Sequence, residues 1–150
     1  MESIKNYYLI TDNIATSGQP TTDQFTEIAQ AGYKIVINLA LPSSDNALPD
    51  EGAIVTQLGM IYLHIPVIWD SPKIEDLQFF CEVMESTKKH KVWVHCALNM
   101  RVSCFMYLYR KLILKLPEIQ AQYPMTELWQ PNKIWQQFIQ EAEANLITFC

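Results

Sequence analysis

The sequence has little positive charge and no run of basic residues. Lysine and arginine number 11 against 16 aspartates and glutamates, which gives a net charge of −5. No basic run is longer than the pair Lys88-Lys89. Nucleic-acid-binding proteins need a basic surface and membrane-binding arms need a basic cluster, so we expect neither kind of partner. One local cation would still suffice to bind a small anionic substrate.

The chain also lacks a long apolar segment. The most apolar stretch, residues 102 to 116, is too short to span a bilayer and contains Arg110, Lys111 and Lys115. The first residues, Met-Glu-Ser-Ile-Lys, contain no apolar core of a secretory leader. Both absences predict a cytoplasmic protein.

Paired cysteines and metal-binding spacings are missing as well. The four cysteines, at positions 81, 96, 104 and 150, form no CxxC pair and do not have the spacing of a disulfide scaffold. The three histidines do not have the spacing of metal ligands. We therefore expect reduced thiols, no metal and no cofactor. Cys81 and Cys104 fall within predicted helices and are expected to pack in the core, and Cys150 is expected to be an incidental tail residue.

What the sequence does contain is an alternation of short strands and helices. Apolar and β-branched runs predict strands at residues 7–10, 14–17, 34–39, 60–66 and 91–95. Cap residues, prolines and apolar faces predict helices over residues 21–32, 49–59, 71–88, 101–116 and 131–147. This order predicts an α/β fold with a mainly parallel central sheet flanked by helices. Ligands in such folds bind beyond the carboxyl ends of the strands.

The segment from His95 to Arg101, His-Cys-Ala-Leu-Asn-Met-Arg, lies at such a strand end and leads into a helix; we call it the cysteine loop. Successive N–H groups in such a loop, together with the helix dipole, form an anion-binding nest. A cysteine at its mouth is expected to be largely thiolate near neutral pH, and Arg101 can hold two oxygens of a phosphoryl or sulfuryl group. A thiolate that faces a bound oxyanion is placed for covalent displacement, so Cys96 is the candidate nucleophile.

The order of strand, His-Cys, short loop, arginine and helix resembles the protein tyrosine and dual-specificity phosphatases, and most of all their small bacterial members. Ser17-Gly18-Gln19-Pro20 and the run from Ala31 to Leu39 are similar to the opening of those bacterial proteins. The run from Tyr62 to Val67, followed by Asp70, is similar to the family's general-acid region. The resemblance covers about residues 7 to 116. It implies a dual-specificity phosphatase architecture for a single domain over residues 1–150.

The resemblance also implies a role for each matching residue. Cys96 would form a phosphocysteine, Arg101 would bind the phosphate, and Asp70 would protonate the leaving oxygen. His95 would orient the cysteine, and Ser103 would hydrogen-bond to the thiolate as it leaves. The residues between Cys96 and Arg101 would bind the phosphate through their N–H groups; they are Ala97, Leu98, Asn99 and Met100. The implied partner is a phosphorylated protein or small molecule.

Other interpretations stay open at this point. Asp76 and Glu75 lie close enough in sequence to Asp70 to be the acid instead. The loop has four residues between cysteine and arginine where the wider family has five, a gap that the bacterial members share. Asn99 stands where those members usually have glycine, although asparagine also tolerates a positive φ. These departures motivate a pseudophosphatase that only binds phosphorylated partners, and a rhodanese-like sulfurtransferase with a persulfide on Cys96 is the other alternative.

Overall fold

The computed structural model describes residues 1–145. Within that range the strands are β1 (Tyr8–Thr11), β2 (Ile14–Ser17), β3 (Ile35–Asn38), β4 (Ile61–His64) and β5 (Val92–His95). The helices are α1 (Thr22–Gln30), α2 (Glu51–Gln57), α3 (Ile74–Ser86), α4 (Met100–Leu108), α5 (Glu118–Ala121), α6 (Met125–Leu128) and α7 (Lys133–Asn145). Helix α4 continues into a π-helical turn over Tyr109–Ile113. The predicted strands and long helices are all present, with displaced ends, and the short α5 and α6 are additions to the prediction.

The sheet has the strand order β1-β2-β5-β3-β4. Strand β1 pairs antiparallel with β2, and all other neighbours are parallel. The predicted mainly parallel sheet is therefore confirmed, with β5 at its centre. The last residues of the parallel strands share one register row: Ser17, His95, Asn38 and His64. The cysteine loop consequently leaves the middle of the carboxyl edge of the sheet, where ligands bind in this fold class.

Side chains alternate across β5, which is buried on both faces. Val92 and Val94 pack into the core formed with α3, α4 and α7, whereas Trp93 packs into the core formed with α1 and α2. The side chain of His95 lies on the same face of the sheet as that of Trp93. It contacts Phe25 of α1, with ring centroids 5.9 Å apart. Cys96 belongs to the opposite core. The two-residue period of a strand thus separates His95 from Cys96 across the sheet.

The predicted start of α1 is confirmed by a capping box. The Thr21 hydroxyl accepts from the N–H of Gln24, and the Gln24 side chain accepts from the N–H of Thr21. Gly32 follows the helix with φ +95, a conformation that glycine adopts without steric cost. The box fixes α1 directly after the Ser17-Gly18-Gln19-Pro20 segment.

The predicted cap of α3 is wrong. The helix begins at Ile74 with Lys73 as its N-cap, not at Ser71-Pro72. The N–H of Ser71 donates to the carbonyl of Ile68 at 3.2 Å, so Ser71 closes a turn instead of capping the helix. Lys73 is then extended, and Pro72 precedes the helix rather than opening it.

The other helix ends also shift. Helix α4 starts one residue before the prediction, at Met100. Its π-helical extension ends before the predicted Leu116, and Lys115 adopts φ +59. The predicted end of α7 near Ile147, and Cys150, lie outside the described residues. Among residues 1–145, no helix is long and apolar enough to cross a membrane.

Candidate active site

The cysteine loop joins the end of β5 to the start of α4. Asn99, the N-cap of α4, adopts φ +69 and ψ +8, the left-handed conformation that asparagine tolerates. The N–H groups of residues 97 to 102 meet no acceptor in the part of the chain that the structure describes. The first N–H groups of every helix have no partner within the helix itself, but here the loop N–H groups directly before them are unpaired too. Together with the helix dipole they create positive potential suited to an oxyanion.

Two loop carbonyls are held by donors from elsewhere in the fold. The carbonyl of Ala97 accepts from the N–H of Gln19 and from Nδ2 of Asn46, both at 3.1 Å. The carbonyl of Leu98 accepts from Nδ2 of Asn6 at 3.0 Å. The C=O and the following N–H of a trans peptide point in opposite directions. The N–H groups of residues 98 and 99 therefore point away from these partners and toward the other side of the loop.

Close contact between β2 and the loop requires glycine at position 18. A Cβ on Gly18 would lie 2.6 Å from the carbonyl oxygen of Ala97 and 3.0 Å from Cγ of Lys5. Beside it, the N–H of Cys96 donates to the carbonyl of Ser17 at 3.4 Å. The Ser-Gly-Gln-Pro segment thus contacts the cysteine loop through its backbone.

Asn99 is fully buried and joins the loop to the N-terminal segment. Its Nδ2 donates to the carbonyl of Asn6 at 2.9 Å and to the hydroxyl of Thr16 at 3.2 Å. Its Oδ1 is buried and has no hydrogen-bond partner among residues 1–145. Asn6 in turn donates to Leu98, so reciprocal bonds fix the backbone around the left-handed residue.

This arrangement predicts opposite outcomes for two substitutions. Asn99→Ala should lower the free energy of unfolding by about 2–3 kcal/mol, because alanine is strained at positive φ and both Nδ2 bonds are lost. Asn99→Gly should cost about 1 kcal/mol or less, because glycine adopts this φ freely and the unpartnered Oδ1 is removed. Urea unfolding of both variants measures the difference. Equal losses of unfolding free energy in the two variants would show that the left-handed backbone does not determine which residues position 99 tolerates.

A cavity of about 140 Å³ opens beside the loop. It is lined by Trp69, Cys96, Ala97, Leu98, Met100 and Arg101. The structure therefore brings Cys96 and Arg101 to one space, and it also places Leu98 and Met100 there. Trp69, Leu98 and Met100 make much of its wall apolar, and among residues 1–145 Arg101 is the only cationic residue that lines it.

Arg101 is a buried cation without an anionic partner in the described structure. Its side chain is 7% exposed, and Nη1 donates to the carbonyl of Val67 at 3.0 Å. No carboxylate among residues 1–145 forms a salt bridge with it. A guanidinium has five N–H donors, so several remain for a ligand. A buried charge of this kind is stabilised by an oxyanion that enters the cavity.

His95 contacts a carboxylate that the sequence did not indicate. Its Nδ1 lies 3.2 Å from the carbonyl oxygen of Cys96, and its Nε2 lies 2.6 Å from Oε2 of Glu51. Nε2 of Gln19 donates to the other oxygen of Glu51 at 2.7 Å. Glu51 was visible in the sequence only as the start of a short helix. Gln19 was noted only as part of the similar opening segment.

Ser103 is not brought to the cysteine. Its hydroxyl donates to the carbonyl of Met100 at 2.9 Å and accepts from Nε1 of Trp129 at 3.0 Å. No hydrogen bond joins it to Cys96 within the described range. The hydroxyl role assigned by the resemblance therefore has no support in this geometry.

Asp70 is not among the described residues that line the cavity. It is exposed and directly follows Trp69, which does line the cavity. The carbonyl of Trp69 accepts from Nε1 of Trp135 at 3.0 Å, and its ring packs against those of Trp129 and Trp135. These contacts hold the segment that carries Asp70 beside the cysteine loop.

The two alternative acids lie farther along the chain. Glu75 and Asp76 occupy the first turn of α3, and neither lines the cavity. Burial raises the pKa of Asp76. A carboxyl group with a raised pKa is a typical general acid, so Asp76 is the competitor that an experiment has to exclude.

The chain is similar to known proteins in both sequence and structure. The family model described as DSP-PTPase phosphatase fused to NAD+ kinase matches residues 11–143. A β-lactamase hydrolase-like protein of Xylella fastidiosa is 32% identical over 118 residues, which is 75% of this chain; the chain spans 27% of that relative's length. A putative phosphatase (DUF442) from Shewanella putrefaciens is 38% identical, with a TM-score of 0.86 over 95% of this chain and 94% of the other. Tk-PTP, at 19% identity, shares the fold with a TM-score of 0.78 over 93% and 97% of the two chains.

Proposed function

We propose that this chain hydrolyses phosphate monoesters through a phosphocysteine on Cys96. The chain belongs to the family described as DSP-PTPase phosphatase fused to NAD+ kinase. As a member of that family it is a phosphatase of the dual-specificity and tyrosine phosphatase type. The observation that carries the proposal is that Cys96 and Arg101 line one cavity, beside N–H groups that meet no acceptor among residues 1–145. Displacement at phosphorus needs a nucleophile and an oxyanion site in one place.

In the first step the Cys96 thiolate attacks phosphorus, so that an S–P bond forms and the ester P–O bond breaks. Asp70 donates a proton to the leaving oxygen. Arg101 and the loop N–H groups hold the non-bridging oxygens as their charge redistributes. In the second step Asp70 accepts a proton from water, the water oxygen attacks phosphorus, and the S–P bond breaks. Inorganic phosphate and the Cys96 thiolate are released.

The cavity wall supports a substrate class. Trp69, Leu98 and Met100 offer apolar surface to the group that carries the phosphate, and Arg101 is the only cation that the described part of the chain contributes to the cavity wall. A polyphosphorylated ligand would need several cations, so we propose a single phosphate on an aromatic or otherwise apolar group. Such a group occurs in a phosphorylated protein or in a small ester. With a net charge of −5, nucleic acid is not proposed as a partner.

The test measures phosphate release from a series of aryl phosphates in the presence of a metal chelator. The wild-type rate should depend little on the acidity of the leaving phenol, because Asp70 protonates the departing oxygen. Asp70→Asn should lower kcat/KM, which reports the first step, about 10²-fold for phenyl phosphate and less for esters of more acidic phenols, which leave without a proton. Asp76→Asn is the matched control and should leave kcat/KM unchanged.

Three outcomes would contradict the proposal in different ways. Loss of activity in Asp76→Asn and not in Asp70→Asn would reassign the acid. Transfer of sulfur from thiosulfate to cyanide, without phosphate release, would favour the sulfurtransferase. Tight binding of a phosphotyrosine peptide without any turnover would identify a pseudophosphatase.

A further inference from the structure

A buried carboxylate lies behind the cysteine loop, and the mechanism above does not use it. Glu51, the first residue of α2, is 4% exposed. Its Oε2 lies 2.6 Å from Nε2 of His95, and its Oε1 accepts from Nε2 of Gln19 at 2.7 Å. The hydroxyl of Tyr62 in β4 hydrogen-bonds to the same carboxylate. Partners from three separate segments therefore surround one acidic side chain.

The contacts of Glu51 are those of a hydrogen-bond acceptor. The amide of Gln19 donates to its Oε1. Burial, with a further contribution from Glu51, raises the pKa of Tyr62 to about 12, so its hydroxyl keeps its proton and can donate. A buried carboxylate also needs a cation to compensate its charge, and His95 is the residue in contact.

Both ring nitrogens of His95 lie against oxygen atoms. Nδ1 is 3.2 Å from the carbonyl oxygen of Cys96, which can only accept. Nε2 is in contact with a carboxyl oxygen of Glu51. His95 has none of its surface exposed, and it immediately precedes Cys96 in the chain, so the carboxyl group and the nucleophile are joined through one buried ring.

Few other titratable groups face Glu51 and His95 from neighbouring elements. Arg101 of α4 lines the cavity with Cys96, and Tyr62 of β4 is neutral. Nε2 of His64, also in β4, lies 2.6 Å from the carbonyl of Ala40 and not at the pair. Within residues 1–145, Glu51 is the one carboxylate that forms an ion pair with His95.

We propose, on the basis of the cysteine mechanism above, that Glu51 is a positioning residue that acts on Cys96 through His95. Its charge keeps His95 doubly protonated, and the resulting cation favours the Cys96 thiolate. Its contact with Nε2 also orients the ring, so that Nδ1 holds the Cys96 carbonyl. Since that peptide is trans, the following N–H, of Ala97, points to the opposite side of the loop. Glu51 thus contributes both to the charge of the nucleophile and to the direction of a backbone N–H that hydrogen-bonds to the bound phosphate.

The variant Glu51→Gln separates charge from orientation. Its amide is nearly isosteric, can accept from Gln19, and can donate to Nε2 of a neutral His95, so the ring stays in place. The readout is the rate of Cys96 alkylation by iodoacetamide as a function of pH. It is followed on the tryptic peptide Val92–Arg101, in which Cys96 is the only cysteine. Alkylation needs no turnover, so it is informative whether or not the protein hydrolyses phosphate esters.

We expect the pH midpoint of Cys96 alkylation to rise by about one unit in Glu51→Gln, which is a tenfold lower thiolate fraction on the acidic side. The acidic limb of the pH–rate profile for aryl phosphates should move in the same direction, and kcat below it should fall about tenfold with little change in KM. In a His95→Asn background the same substitution should move the midpoint far less, because the coupling runs through His95.

Val83→Ala is the control for a merely structural effect. Val83 is buried in α3, so this variant should lose resistance to urea while the alkylation midpoint stays in place. The inference is overturned if Glu51→Gln also loses resistance to urea without any change in the alkylation midpoint. A shifted midpoint in a protein that releases no phosphate would support the role of Glu51 and refute hydrolysis. Normal phosphate release by Glu51→Gln with an unmoved alkylation midpoint would support hydrolysis and refute the role of Glu51.

Discussion

Cys96→Ser should lower kcat for aryl phosphates by about 10⁵-fold, which corresponds to about 7 kcal/mol of transition-state stabilisation. A serine hydroxyl is not ionised near neutral pH, and both ring nitrogens of the neighbouring His95 are already in contact with other oxygens. The loop N–H groups and Arg101 are unchanged by the substitution. The variant should therefore still bind a phosphotyrosine peptide, and calorimetry of that binding together with a phosphate-release assay separates the two effects.

Cys104→Ala supplies the control for this substitution. Cys104 lies in α4 and is fully buried, and burial raises the pKa of its thiol, so it remains neutral. Its replacement should leave kcat near the wild-type value and cost only stability. If Cys96→Ser kept most of the wild-type kcat, another group would have to be the nucleophile, and the phosphocysteine mechanism would be abandoned.

Arg101→Lys should lower kcat/KM by about 10³-fold. Lysine keeps the positive charge but replaces a planar group with five donors by a single ammonium. One guanidinium nitrogen already donates to the Val67 carbonyl, so the ammonium would have to serve that carbonyl and the phosphate from one nitrogen. The measurement is the full kinetics of aryl phosphate hydrolysis, with inhibition by inorganic phosphate as a probe of ground-state binding.

The chain offers a matched arginine for comparison. Arg110 is also buried, but its Nη1 donates to the carbonyls of Gln120 and Tyr123, and it does not line the cavity. Arg110→Lys should reduce stability and leave kcat/KM unchanged. Equal kinetic losses in both variants would mean that the loss comes from general destabilisation and not from the oxyanion site.

The local part of this site could be predicted because it is contiguous in the chain. Strand β5, the cysteine loop and α4 follow one another directly, so the sequence alone placed Cys96 and Arg101 at a helix start beyond a strand end. The left-handed backbone at Asn99 and the capping box of α1 likewise depend on single residues or on close neighbours. These particular predictions succeeded because the interactions involved close within one turn.

Ser103 shows where spacing alone fails. The resemblance implied a hydroxyl beside the thiolate, but a serine in the first turn of a helix has a carbonyl acceptor close by, and here it donates to Met100. Its second partner, Trp129, lies 26 residues away and follows a different helix. The residue type was predicted from the family pattern, whereas the direction of its hydrogen bond depended on packing.

The sequence by itself determined the α/β class, the mainly parallel sheet, the family and the place of the cysteine loop between a strand end and a helix start. Only the tertiary structure decided which distant residues support that loop. Glu51 and His95 are 44 positions apart, and Asn6 and Leu98 are 92 positions apart. Glu51 and His95 meet because β5 pairs in parallel with β3, so the segment that follows β3 reaches the edge of the sheet where β5 ends. Asn6 precedes β1, which is antiparallel to β2, so it lies beside the end of β2 at the same edge. Strand order arises from the packing of the whole chain, and local residue patterns do not encode it.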